Sequence, residues 1–413
     1  MDPGVSDQSF NRFFNDTVEG MTENAIDLPA FLDDLPTPTR LLALGEPMHG
    51  SEDVLRARNA VIEDLVLRAG YRSIAVESDF HAAPLVDEYI RGGDVDLERA
   101  LAEGFSHVFV HTREATRELL RWLREVNRTL EVPVRFYGFD GPMEMAAAPG
   151  PRAYLLRLHA ALAGIDDRVP SSAEEIERLA GPDERWTEER AMYEAERSVG
   201  RTAEADRLRL IADDLCAVLD ASAPRLAPSP DAWFHVLADA RTAVGLLRYH
   251  AMMATDGPER LSRLIAQRDA MMADNLVAIE EREAPRGGTV VLAHNRHLQR
   301  ELSGMRMGPH QLWWYGGGAV AEALLGGGYR FVAMDVGAAP AHGLGVPAPG
   351  TVEGELYRAQ GPNAFLHRGS DLALRLRGTA TRPDRDAHGA YFPLEAEHLA
   401  EADGVLFLKE VRA

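Results

Sequence analysis

Apolar residues fall into two rhythms along this chain. One is a set of short continuous runs: "RLLALGE" at 40–46, "RSIAVESD" at 72–79, "VRFYGFDG" at 134–141, "TVVLAHN" at 289–295, "RFVAMDVG" at 330–337 and "GVLFLKE" at 404–410. Most do not alternate with polar residues, which is the pattern of strands buried on both faces. The other rhythm is helical, over roughly 52–69, 81–91, 113–129 and 319–326, between most of the runs. Strand–helix alternation predicts an α/β fold: a mainly parallel central sheet flanked by helices.

The stretch 151–287 breaks the alternation. Segments such as "AEEIERLAG" and "EADRLRLIADDLCAVLDA" carry Ala, Arg, Glu and Leu at helical spacing with almost no strand signal. "APRLAPSPDA" at 223–232 is a Pro-rich break between two of these helices. The predicted organisation is a core in two parts, 1–150 and 288–413, split by a large all-helical insertion at 151–287 that shapes substrate entry. Trp233, Phe234, Tyr249, Met252 and Met253 of that insertion read either as pocket lining or as ordinary helix core. The C-terminal third, with "YGGGAV" and "LLGGGYR", reads as rich in loops.

Polar residues cluster where the predicted strands end. The first run ends in Glu46 with His49 three residues on, the second in Glu77 and Asp79, the third in Asp140, and the fourth in His294, Asn295 and His297. Ligand crevices of open α/β sheets form at the C-terminal strand ends, so four strands deliver acids or imidazoles to one edge. Each residue also has a plain reading. Glu46 can pair with a helix start, Glu77 can sit in a structural salt bridge, Asp140 can cap the turn before Gly141 and Pro142, and His294 can be a core histidine bonded to backbone.

Arg58 favours the site reading. Val54, Val61, Ile62 and Leu65 form one apolar stripe on the helix after "LGEPMHGSE", and Arg58 stands within that stripe. A guanidinium on a core-facing stripe needs an anion. Glu46 and Glu77 are the expected partners. Gly45 and Gly50 are expected to let the backbone turn tightly around Glu46 and His49.

Composition narrows the partners. The 413 residues carry a formal net charge of -21, which disfavours nucleic acid and anionic membrane. No apolar run is long enough for a membrane helix, and "MDPGVSDQSFNRFF" has no leader pattern. Cys216 is the one cysteine, so no internal disulfide forms, which suits a cytoplasmic setting. Oligomeric state is not legible. No Gly-x-Ser-x-Gly elbow is present, and Cys216 lies in a predicted helix away from the cluster.

The segment "LGEPMHGSEDVLRARNAVIEDLVLRAGYRSIAVES", with "LLRWLREVN", "FYGFDG", "QRDAMMADNL", "VLAHNRH" and "EADGVLFLKE", resembles the erythromycin esterase family over about residues 38–410. The resemblance implies an esterase acting on a macrolide-like lactone, as in antibiotic resistance or secondary metabolism. It implies His49 as the general base that activates water, with Glu46, Glu77, Arg58 and His294 as further catalytic residues and His297 as a substrate-binding residue. Met48 and Arg296 depart from the family pattern and are expected, with Asp140, to flank the substrate. His294 is expected to hold the oxyanion or protonate the leaving group.

No cofactor is expected. A divalent metal on Glu46, His49, Glu77, His294 and His297 is the rival, although the spacing fits no standard zinc motif and Arg58 would repel the ion. Two further alternatives share the residues: a tailoring enzyme for cyclisation or dehydration, and a macrolide-binding protein without turnover.

Overall fold

The computed structural model describes residues 28–33, 39–107, 113–143, 148–165, 169–359, 363–383 and 391–412. The sequence reading of the N-terminal residues 1–27 lies outside them. All six apolar runs form neighbouring parallel strands within one sheet. The strands are β1 (Leu41–Glu46), β2 (Tyr71–Asp79), β3 (Arg135–Asp140), β4 (Gly288–His294), β5 (Leu302–Met307), β6 (His310–Tyr315), β7 (Tyr329–Ala338), β8 (Ala364–Arg368) and β9 (Gly404–Glu410). Seven make a sheet in the order β3-β2-β4-β1-β7-β9-β8, parallel except where β8 pairs antiparallel with β9.

Period-two alternation sorts the strand side chains. Leu42 and Leu44 of β1 join the apolar layer on one face, with Val54, Ile62 and Leu65 of helix α1 (Glu52–Arg68). Leu41 and Ala43 join the layer on the other face, with Met272, Leu276 and Phe331. Both faces are covered, which is why these strands read as continuous apolar runs.

Between β3 and β4 the described regular elements are all helical. Four of them are α2 (Arg152–Ala163), α3 (Ala203–Ala221), α4 (Pro230–Met253) and α5 (Arg260–Glu283). Leu155, Leu158, Leu208, Ile211, Leu215, Leu246 and Leu247 give this region its own buried core. Phe234, Tyr249 and Met253 are buried in apolar clusters, and Trp233 and Met252 pack against one. These five residues contribute to the helix core.

The C-terminal third is more regular than its glycines suggest. β5 and β6 form a separate antiparallel hairpin, followed by helix α6 (Gly317–Leu325). In β6 Leu312 and Trp314 point inward while Trp313 and Tyr315 are exposed. β8 is a five-residue edge strand. Both lack the long apolar run that marks the other strands.

Candidate active site

Asp140, Glu77, His294 and Glu46 stand at the C-terminal ends of β3, β2, β4 and β1, four neighbours in the sheet. Glu46 and His294 lie directly opposite each other in the ladder. Glu77 falls where the β2–β3 register shifts between Val76 and Asp79, and such a bulge re-aims a side chain. Gly138 makes room for it: a Cβ there would lie 2.5 Å from the Ser78 carbonyl and 2.4 Å from that of Asp79.

The turn at 45–50 is built differently from expectation. Gly50 does need glycine freedom, with φ +77°. Gly45 does not. It is glycine because Asn295 packs against it: a Cβ would lie 2.1 Å from Asn295 Oδ1. The Asn295 amide donates to the Met334 carbonyl at 2.8 Å, stitching β4 to β7 beneath the turn.

His49 sits just before α1, whose first turn is capped by Ser51. Its ring lies between two carboxylates: Nδ1 is 3.7 Å from Glu46 Oε2 and Nε2 is 4.0 Å from Glu77 Oε2. Its side chain is 30% exposed, while those of both glutamates are below 10%. Arg58 reaches up from the apolar stripe and donates to Glu46 Oε1. Burial pushes the Glu46 carboxyl up, but Arg58 and His49 outweigh it and hold it below the usual range. Burial acts likewise on Glu77, where His297, His49, Arg268 and His107 hold the carboxyl well down.

His294 does not have the proton-transfer geometry expected of it. Its Nδ1 accepts from the Arg296 backbone N–H at 3.1 Å, so Nε2 carries the proton and donates to the Pro47 carbonyl at 3.1 Å. Burial, reinforced by His49, pushes its pKa down to about 3, so the ring is neutral. It packs edge-on against His49, with centroids 5.3 Å apart, and anchors the turn that carries it.

Met48 and Arg296 also differ from expectation. Met48 is 1% exposed and packs in the apolar core. Arg296 is buried, with its guanidinium 5.6 Å from the Phe392 ring and Nη1 3.5 Å from Gln299 Oε1. Phe392 in turn packs edge-on against His294 and donates its N–H to the Pro47 carbonyl.

The far side of Glu77 holds residues that the sequence reading missed. Arg268 of α5 reaches Glu77 directly, and its neighbour Asp269 does so through His297. Arg268 Nη2 donates to Glu77 Oε1 at 3.2 Å and to Asp140 Oδ2 at 2.5 Å. Asp140 is fully buried beneath this guanidinium, so it is an anchor for Arg268 and not a substrate contact. Asp269 accepts from His297 Nδ1 at 2.8 Å and from the Gly317 N–H at 2.7 Å, and His297 Nε2 lies 3.5 Å from Glu77 Oε1. Burial pushes His297 down, but Asp269 and Glu77 overcome it and raise its pKa to about 9, so it is an imidazolium at neutral pH. Trp314 of β6 lies beside it, with ring centroids 6.4 Å apart.

His107 completes this side. Its loop is held to the end of β2 by the Ser106 N–H, which donates to Ser78 Oγ at 2.9 Å, and by the Asp79 N–H, which donates to Ser106 Oγ at 3.0 Å. His107 Nε2 is 3.5 Å from Asp140 Oδ2. A sequence signal for Arg268 existed. It lies four residues from Leu264 and four from Met272, both buried, which repeats the logic of Arg58.

The outcome is one row in which acidic and basic side chains alternate: Asp269, His297, Glu77, His49, Glu46 and Arg58. The rival metal set of Glu46, His49, Glu77, His294 and His297 does not converge, because backbone groups occupy both His294 nitrogens. Among the described residues the three-ligand group is Glu77, His107 and Asp140.

Histidines and carboxylates converging at the C-terminal strand ends of a mainly parallel α/β sheet are the arrangement in which α/β enzymes build their sites. The family model for erythromycin esterase matches residues 66–411, and the chain belongs to that family. Similar solved structures include a histidine-to-asparagine variant of the erythromycin esterase EreC in its open conformation, 19% identical, covering 92% of this chain and 94% of that one with a TM-score of 0.65. A Bacillus cereus protein is 16% identical, with 91% and 89% covered and a TM-score of 0.63. A succinoglycan biosynthesis protein is 14% identical, with 100% and 99% covered and a TM-score of 0.58. At these identities the neighbours share the fold. No helix among the described residues is long and apolar enough to cross a membrane.

Proposed function

We propose that the chain hydrolyses a carboxylic ester, with macrolide-like lactones as the substrate class, by water that His49 activates. The observation that carries this reading is the placement of His49, an accessible imidazole with a buried carboxylate near each ring nitrogen. Family membership adds the ester and the macrolide.

In the proposed step, His49 takes a proton from water as the water oxygen attacks the ester carbonyl. The negative charge that builds on the carbonyl oxygen is met by the His297 imidazolium, which Asp269 and Glu77 keep charged. The tetrahedral intermediate collapses, and His49 returns its proton to the departing alkoxide. Glu46, fixed by Arg58, offsets the charge that His49 gains. His294 takes no proton in this scheme. No cofactor enters it, and no residue becomes covalently attached to substrate.

The test is a panel of macrolides and smaller lactones, scored by mass spectrometry for the gain of one water, with ¹⁸O-water as the label. His49→Ala, with its circular dichroism unchanged, is expected to lose about 10²–10⁴ in rate. Near-full activity in that variant removes His49 as the base. An unlabelled product, or no turnover of any lactone, removes the hydrolase reading.

A further inference from the structure

One nitrogen atom of Arg268 occupies an unusual position. Around Nη2 lie Asp140 Oδ2 at 2.5 Å, Glu77 Oε1 at 3.2 Å and His107 Nε2 at 3.5 Å. These three groups come from β3, β2 and the loop after residue 103, and each offers one ligand atom within 4.8 Å of the others. An imidazole nitrogen and two carboxylate oxygens around one point form a donor set of the kind that holds zinc or manganese. Here the point is filled by a guanidinium nitrogen.

We propose that Glu77, His107 and Asp140 form a latent divalent-cation site whose place is held in the native chain by the Arg268 side chain. Three observations carry this. The Glu77 and Asp140 carboxylates are buried and both turn an oxygen toward the same guanidinium nitrogen, so the spot is built to hold positive charge. Arg268 itself is rooted in α5 and enters the tripod from outside the three elements that build it. The distances are also those of hydrogen bonds. A bound zinc draws its ligands to about 2.0–2.2 Å, so the Glu77 and His107 arms would close by roughly an ångström or a little more, and the Asp140 arm by a few tenths, once the guanidinium leaves. The native chain thus keeps this corner charged without an exchangeable ion. The inference concerns the corner's charge alone and does not depend on which bond the site cleaves.

The experiment is equilibrium dialysis of the full chain and its variants against Zn²⁺, with metal counted by elemental analysis, and repeated with Mn²⁺. The native chain is expected to hold no zinc that Asp140→Asn removes. Arg268→Ala is expected to take up one zinc per chain, to melt higher with zinc than without, and to lose both effects when combined with Asp140→Asn. Arg268→Gln keeps most of the side-chain volume and serves if the alanine variant does not fold. Arg268→Lys restores a resident cation and is expected to stay free of zinc. No zinc in the folded alanine or glutamine variant overturns the proposal. So does zinc that persists when Asp140 is also replaced, or a native chain that already binds one zinc through Asp140.

Discussion

His297 is charged because Asp269 is, and replacing Asp269 by Asn isolates that dependence. The substitution keeps an oxygen near the ring but removes the anion 2.8 Å from Nδ1. The site raises His297 from 6.5 to about 9, which corresponds to about 3 kcal/mol in favour of the imidazolium. Asp269 is the largest of the influences that raise it, so without it burial is expected to bring the pKa below neutrality. Two readouts follow. In the kcat/KM profile for ester hydrolysis, the native alkaline limb falls near pH 9, and in Asp269→Asn it moves below about 7, with roughly a tenfold or greater loss at pH 8. The stability sign is the same. A histidine whose folded pKa is raised stabilises the fold fully below its ordinary 6.5, and this is lost as pH climbs through about 9. The melting-temperature gap between native and variant chains is therefore widest near pH 6 and narrows by pH 10. Titration of the His297 ring by NMR gives the pKa directly. An Asp269→Asn chain that keeps the native alkaline limb refutes the role given to His297, and a His297 that still titrates near 9 refutes the role given to Asp269.

Three further outcomes are expected. Arg58→Ala leaves the buried Glu46 carboxylate without its guanidinium and should cost about 3–5 kcal/mol of stability, measured by denaturant unfolding. Gly45→Ala places a methyl 2.1 Å from Asn295 Oδ1 and 2.9 Å from the Phe331 ring, and should cost about 1–3 kcal/mol; a native unfolding midpoint would show that the turn yields freely. Asp335 shares the Tyr391 hydroxyl with Glu353, at 2.8 and 3.5 Å, and burial with Glu353 nearby raises it to about 8. Its folded pKa is above the ordinary 3.8, so it favours the fold below that value and loses this contribution as pH rises through 8. Asp335→Asn should therefore flatten the fall in melting temperature between pH 6 and 9, and an unchanged slope would count against a buried neutral carboxyl.

Strands were legible where burial on both faces leaves a continuous apolar run, as in β1, β4 and β7. β8 was not, because an edge strand of five residues carries too little of that signal, and the β5–β6 hairpin stands apart from the sheet. Glu46, Glu77 and Asp140 could be placed because strand ends define the edge where they stand. Arg58 could be paired because a charge in an apolar stripe needs a partner. What a linear reading cannot supply is direction. His294 lies where expected, but its protonation depends on the Pro47 carbonyl and the Arg296 N–H, which are backbone groups. Met48 faces the core because of how the turn runs, and neither position nor residue type reveals that. His107 is in a loop whose course is fixed by the Ser78–Ser106 pairing.

The distance in sequence between Arg268 and its partners has a consequence for biogenesis. Glu77 and Asp140 leave the ribosome 191 and 128 residues ahead of the guanidinium that neutralises them. His297, which shares Glu77, comes later still. Strands β1 to β3 therefore emerge with acidic groups that cannot be buried until α5 and β4 have been made. The nascent first third has every reason to stay open, and the crevice closes late in translation, when the helix bearing Arg268 and Asp269 meets the sheet.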